Sequence, residues 1–115
     1  MRFALVTLET EESRRHVREH RDEHNARLAE WMTKQAEAGK LIAGEAFETE
    51  HTRPVTIRRD GGHTVTVTEG PFTDGSETLG GYVIIDAADR AEAVELAKTW
   101  PTGETIEVRQ VWTPS

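Results

Sequence analysis

The sequence predicts an α+β domain. Its expected form is a ferredoxin-like βαββαβ order with an extra β-hairpin, giving an antiparallel sheet with two helices on one face. Three observations carry this expectation. The runs Phe3–Leu8 and Tyr82–Ile85 are apolar on both alternating sets of positions, as strands covered on both faces are. Each is followed by a polar segment with the signals of a helix start. Between them, two β-branched runs alternate around Asp60-Gly61-Gly62, which is hairpin-turn chemistry.

The elements follow in order. The first strand spans Arg2 to Leu8, with Phe3 and Leu5 on one side and Ala4, Val6 and Leu8 on the other. Thr10 is placed to cap a helix whose first turn carries Glu11 and Glu12 at the positive end of the dipole. That helix is expected to run unbroken to about Ala38 on a stripe of Val17, Leu28, Trp31, Met32 and Ala36, with Gly39 as its left-handed stop. A second strand covers Leu41 to Phe47. Val55 and Ile57 alternate with Thr56 and Arg58, and Val65 and Val67 with Thr64, Thr66 and Thr68, so the hairpin should have one wet face. Gly80-Gly81 leads into the apolar strand Tyr82–Ile85. Asp89, with Glu92 three residues on, reads as a capping box for a helix over Ala91, Val94, Leu96 and Ala97 that Pro101 ends. The last strand is Glu104 to Trp112, with Ile106, Val108 and Trp112 on one side and Val111 on the other.

Two helices cover only one face of such a sheet. Leaving the other wet would forfeit roughly 1.5–3 kcal/mol for each large side chain not buried. The expected cover is a second copy, in a two-fold homodimer with the sheets face to face. In the competing arrangement the long hairpin folds over that face within one chain.

Composition narrows the function. A chain of 115 residues is one domain, 1–115. Its 14 Lys and Arg against 21 Asp and Glu give a net charge of −7, which argues against a phosphate-backbone binder, so no nucleic-acid partner is expected. Without Cys there are no disulfides, thiolate nucleophiles or Cys-ligated metals, and a reduced cytoplasm is the expected location. The apolar stretch Phe3–Val6 stops at Thr7 and meets Glu9, Glu11 and Glu12, far short of a signal peptide or a membrane span, so no membrane partner is expected either.

His16, His20 and His24 recur every four residues, drifting about 40° per step on a helix of ~3.6 residues per turn. His24 also lies on the stripe of Val17, Leu28 and Trp31, which aims its ring at the sheet. An imidazole with an ordinary pKa of about 6.5 can serve there as a general base; the competing reading is a core histidine bonded to backbone or to Tyr82. Glu77 is the second candidate, since Gly80 and Gly81 let its loop be pinned against the sheet. From that loop it can orient His24, receive a substrate hydroxyl proton, or simply hold the Pro71-Phe72 loop closed. The expected site is thus His24 and Glu77 as catalytic groups, with His20, Tyr82 and Phe72 binding a small-molecule substrate. Paired histidines need further ligands to hold a metal, and there is no His-Glu-x-x-His, so neither metal nor cofactor is expected. Arg14, Arg15, Arg18 and Arg21 interleave with acids at ion-pair spacing and read as a solvated helix face. Trp31, Trp100 and Trp112 are expected as core or interface anchors.

Thr68-Glu69-Gly70-Pro71-Phe72, then Glu77-Thr78-Leu79-Gly80-Gly81-Tyr82 and the capped helix from Asp89, resemble the YCII-related family in its DGPF-type branch, with Glu69 in place of that signature's Asp. The likeness extends back through Gly44-Glu45 and the Thr56–Val67 hairpin, and forward to Ile106-Glu107-Val108-Arg109. The first helix is similar to the other YCII branch through Arg21-Asp22-Glu23-His24 and Ala26-Arg27-Leu28.

The resemblance implies a dimeric α/β barrel. YCII-like proteins include a dehydrochlorinase-type enzyme acting on a chlorinated hydroxyquinol, and DGPF-type members that occur alongside extracytoplasmic-function sigma factors. In the better-understood branch a helix His and an Asp just before a Pro form the catalytic pair; His24 matches the first, but Trp100 precedes Pro101, so the pair is broken here. The function expected is that of a small-molecule enzyme or binding protein with lyase- or dehydrochlorinase-like acid–base chemistry on a hydroxylated or aromatic metabolite. The alternative is a non-catalytic dimeric accessory or regulatory module of sigma-factor-type transcription systems.

Overall fold

The computed structural model describes residues 1–114. The first apolar run forms β1 (Arg2–Glu9), and the polar segment after it forms α1 (Glu11–Glu19) and α2 (Arg21–Glu37). Then come β2 (Leu41–Ala46), the hairpin β3 (Val55–Arg59) and β4 (Val65–Glu69), β5 (Thr78–Asp86), α3 (Arg90–Lys98) and β6 (Thr105–Gln110). The four main strands pair antiparallel in the order β2-β5-β1-β6, the ferredoxin-like arrangement, while β3 and β4 form a separate two-stranded sheet.

Register decides which side chains form the core. Phe3 lies opposite Ile85 and Leu5 opposite Val83, with Val108 on the other side of Leu5. These side chains face the helices and are buried, except for the partly buried Val108, against Trp31 of α2 and Ala93 of α3. The alternate set, Ala4 with Ile84 and Val6 with Tyr82, faces away from the helices and stays partly exposed. Two-sided apolarity in the central strands therefore corresponds to one filled face and one that this chain leaves uncovered.

Several expectations are corrected. The long helix breaks at His20, whose backbone (φ −129°, ψ 39°) leaves the helical region, while its N–H still bonds the His16 and Val17 carbonyls. The segment before the break buries no side chain, so packing does not hold it collinear with α2. In α2 the inward position beside Trp31 goes to Gln35, and Ala36 is exposed. Thr10 caps as expected, but Ser13 closes its box, each side chain accepting the other's backbone N–H. Asp89 accepts the Glu92 N–H at 2.9 Å, whereas the Glu92 carboxylate reaches back to Ala88 N–H rather than to Asp89 and also pairs with Lys40. Gly39 stops α2 at φ 73°, as its position predicts.

The hairpin does not fold over the open sheet face. Val55, Ile57, Val65 and Val67 are 45–65% exposed, so both of its faces are wet, and the chain is a slab of 47 × 45 × 18 Å. Trp112 lies beyond β6 and is 81% exposed, so it is no core anchor. Among the described residues no helix is long and apolar enough to cross a membrane.

Candidate functional site

The register of neighbouring strands builds the site. Because Leu8 pairs with Thr105, the end of β1 and the start of β6 lie side by side, which brings Glu9 next to Glu104. The break at His20 restarts the helix just ahead of His24, so this ring sits in the first turn of α2 above the same end of the sheet. His24 Nε2 lies 3.8 Å from Glu104 Oε1, and the two side chains are only 13% and 8% exposed. A contact that long is a charge pair when the ring is protonated, not a hydrogen bond.

Glu104 is itself held. Its Oε2 accepts from Trp100 Nε1 at 3.2 Å and from the Thr102 hydroxyl. Trp100 stands edge-on to Trp31, with ring centroids 5.0 Å apart at 63°, and Trp31 Nε1 donates to Thr99 Oγ1 at 2.9 Å. Edge-to-face packing of two indoles is a rigid support, so the carboxylate facing His24 has a fixed position.

Glu9 completes the cluster. Its side chain lies over Gly80, where a Cβ would come within 2.6 Å of Glu9 Oε1, so Glu9 occupies the room that the missing side chain leaves. Glu9 Oε2 is buried with no hydrogen-bond partner. Burial pushes this carboxyl above its ordinary range, the neighbouring Glu104 pushes the same way, and the Thr49 hydroxyl, Arg14 and His24 only partly offset them. A carboxyl so raised keeps its proton more readily and has an O–H to donate. An imidazole facing a fixed carboxylate, with a second, buried carboxyl beside it, is the equipment of acid–base chemistry.

Next to the cluster opens a cleft of about 900 Å³ between α1, the segment from Phe47 to Ile57, and the loop that carries Phe72. Arg14 and Thr49 belong both to its wall and to the surroundings of Glu9. Arg14 is fixed by donating to Thr78 Oγ1 and to Glu11, each at 3.1 Å. Glu9, His24 and Glu104 do not themselves line the cleft; Arg14 and Thr49 are what it shares with the surroundings of Glu9.

Of the residues expected from sequence, His24 enters the cluster, but the carboxylate opposite it is Glu104. Glu77 is exposed; its carbonyl accepts from Thr73 Oγ1 at 2.6 Å, and its carboxylate joins no hydrogen bond or ion pair among the described residues. Phe72 lines the cleft and is 57% exposed. His20 is exposed at the helix break, its ring 4.5 Å from that of His16, and it does not line the cleft. Tyr82 pairs with Val6 on the uncovered side of the sheet, away from His24, and meets the cleft only through the ring of Phe47, 6.2 Å away. No three His, Asp or Glu side chains among the described residues are placed to hold a metal ion.

Sequence reasoning missed Glu9 and Glu104. Glu104 had a signal: it follows Pro101 by three residues, close to the place where a partner for His24 was wanting. Glu9 had none, because its burial depends on Gly80 from a distant strand. A family model described as the YCII-related domain matches residues 1–114. No curated protein matches the chain.

Proposed function

The chain belongs to the YCII-related family, and from that premise we propose that it is a small-molecule enzyme whose acid–base group is His24, with Glu104 in the place of the missing Asp before Pro101. One observation carries this reading: His24 faces, at 3.8 Å, a carboxylate that Trp100 and Thr102 hold in place beside a cleft of metabolite size. The neutral ring takes a proton from a hydroxylated or aromatic substrate, and Glu104 stabilises the imidazolium that results. In a lyase-like elimination the C–H electron pair becomes the new double bond and the leaving group departs with its own bonding pair. Phe72 supplies an apolar wall, while Glu77, His20 and Tyr82 stand outside the reacting cluster. The working unit is a two-fold homodimer, a proposal supported by the partly exposed Val6, Leu8 and Ile84 on the uncovered sheet face.

The test compares the parent protein with His24→Gln and Glu104→Gln against a library of hydroxylated aromatic metabolites, reading melting shifts first and turnover of the hits second. The parent is expected to turn over at least one hit, and His24→Gln to lose about 10²–10⁴-fold in rate, the usual worth of a general base. Identical ligand profiles and no turnover in all three proteins would remove the enzymatic reading and leave the accessory-module alternative.

A further inference from the structure

The wall of the cleft carries as many arginines as acids, Arg14, Arg18 and Arg53 against Glu11, Glu48 and Glu50, in a chain where acids outnumber bases. Its apolar lining includes Phe47, Val55, Phe72 and Leu79, which are 39–57% exposed. Its acids are all engaged. Glu11 is shared by Arg14 and Arg18, at 3.1 and 3.9 Å; Glu50 pairs with Arg21; and Glu48 accepts the backbone N–H groups of Glu50 and His51, each at 2.6 Å. The last cation of the wall, Arg53, has no acidic partner among the described residues. In a chain with 21 acids and 14 bases, the wall thus holds an exposed guanidinium without an acidic partner together with two exposed phenyl rings.

We propose that this cleft takes a small organic monoanion, an arylalkyl carboxylate or its equivalent, with the carboxylate on Arg53 and the apolar body between Phe47 and Phe72. The inference rests on the proposal that this cleft serves the His24 cluster, and adds the class of molecule that it takes. One guanidinium matches one carboxylate in planar, two-point fashion. Apolar walls with a few placed polar groups are the usual make-up of a ligand pocket, and the volume is at the upper end of the common range. Arg14 and Thr49, which belong to the surroundings of Glu9, stand in the same wall.

Isothermal titration with 3-phenylpropionate and its uncharged carboxamide tests the charge directly. The acid is expected to bind at least about tenfold more tightly than the amide, and the difference should shrink in high salt. Arg53→Gln should reduce the acid to the amide's affinity, while Arg59→Gln, an equal charge change on the exposed hairpin, should not. Equal binding of acid and amide, or an acid affinity indifferent to Arg53→Gln, overturns the proposal. So does a change of oligomeric mass on Arg53→Gln without probe binding, since the cleft would then belong to a second copy. If the acid preference is absent while library turnover still depends on His24, the ligand class falls and the catalytic reading stands; the reverse outcome separates them the other way.

Discussion

Glu9 is a carboxyl kept in a place that suits its protonated form. Its ordinary value is 4.5, and in the fold it is raised, chiefly by burial and then by the nearness of Glu104. Between the two values the native state holds a proton that the unfolded chain has released, so stability falls as pH rises through that window, and the deficit is complete above the raised value. Glutamine at this position keeps the shape, retains an acceptor for Thr49 and adds an N–H for the orphaned side. Glu9→Gln is therefore expected to melt higher than the parent at about pH 7.5, with the advantage fading to nothing as pH drops to the ordinary carboxyl range. Thermal melts at closely spaced pH values read this, and a difference independent of pH would show that Glu9 carries its charge at no cost.

Among the elements, two adjacent glycines of β5 separate folding from site-building. At Gly81, with φ 158°, a Cβ would meet the backbone of β2, 2.5 Å from Glu45 O and 3.0 Å from Ala46 Cα, so a strand must move. At Gly80 the three nearest atoms to a Cβ are all of the Glu9 side chain, which can swing away. Gly81→Ala is expected to lose about 1–3 kcal/mol or more in denaturant unfolding, as overpacking against backbone does. Gly80→Ala should stay within about 1 kcal/mol of the parent while losing the pH-dependent deficit that buried Glu9 imposes. Equal destabilisation by both would mean that Glu9 is as rigid as the strand.

The strands themselves were readable, because Phe3–Leu8 and Tyr82–Ile85 advertise burial at every alternate position and Asp60-Gly61-Gly62 marks the hairpin. His24 was readable through its place on the Leu28 and Trp31 stripe. The break at His20 was not, because no proline or glycine marks it and it reflects missing packing along the first nine helical residues. Nor was the joining of Glu9, Glu104 and Gly80, which depends on strand register across most of the chain.

In the whole molecule, a slab 18 Å thick has helices on one side and Val6, Leu8, Tyr82 and Ile84 partly bare on the other. The hairpin, the one part of the chain long enough to cover them, has its own valines and Ile57 in water instead. A second copy stacked on the bare face would bury both sets of central side chains and account for strands apolar on both sides. Ile84 tests this because it lies on β5, paired with Ala4 and Ala43, near the middle of the uncovered surface. An aspartate there reaches water in a lone chain at little cost, but in a face-to-face pair it is desolvated against apolar neighbours with no cation among its strand partners. The parent is therefore expected to scatter light as a dimer in dilute buffer, and Ile84→Asp as a monomer with the parent's far-ultraviolet circular dichroism. A parent that stays monomeric at every concentration would mean that this fold tolerates a wet apolar face, and a variant that loses its secondary structure along with its partner would mean that the second copy is needed for folding as well as for cover.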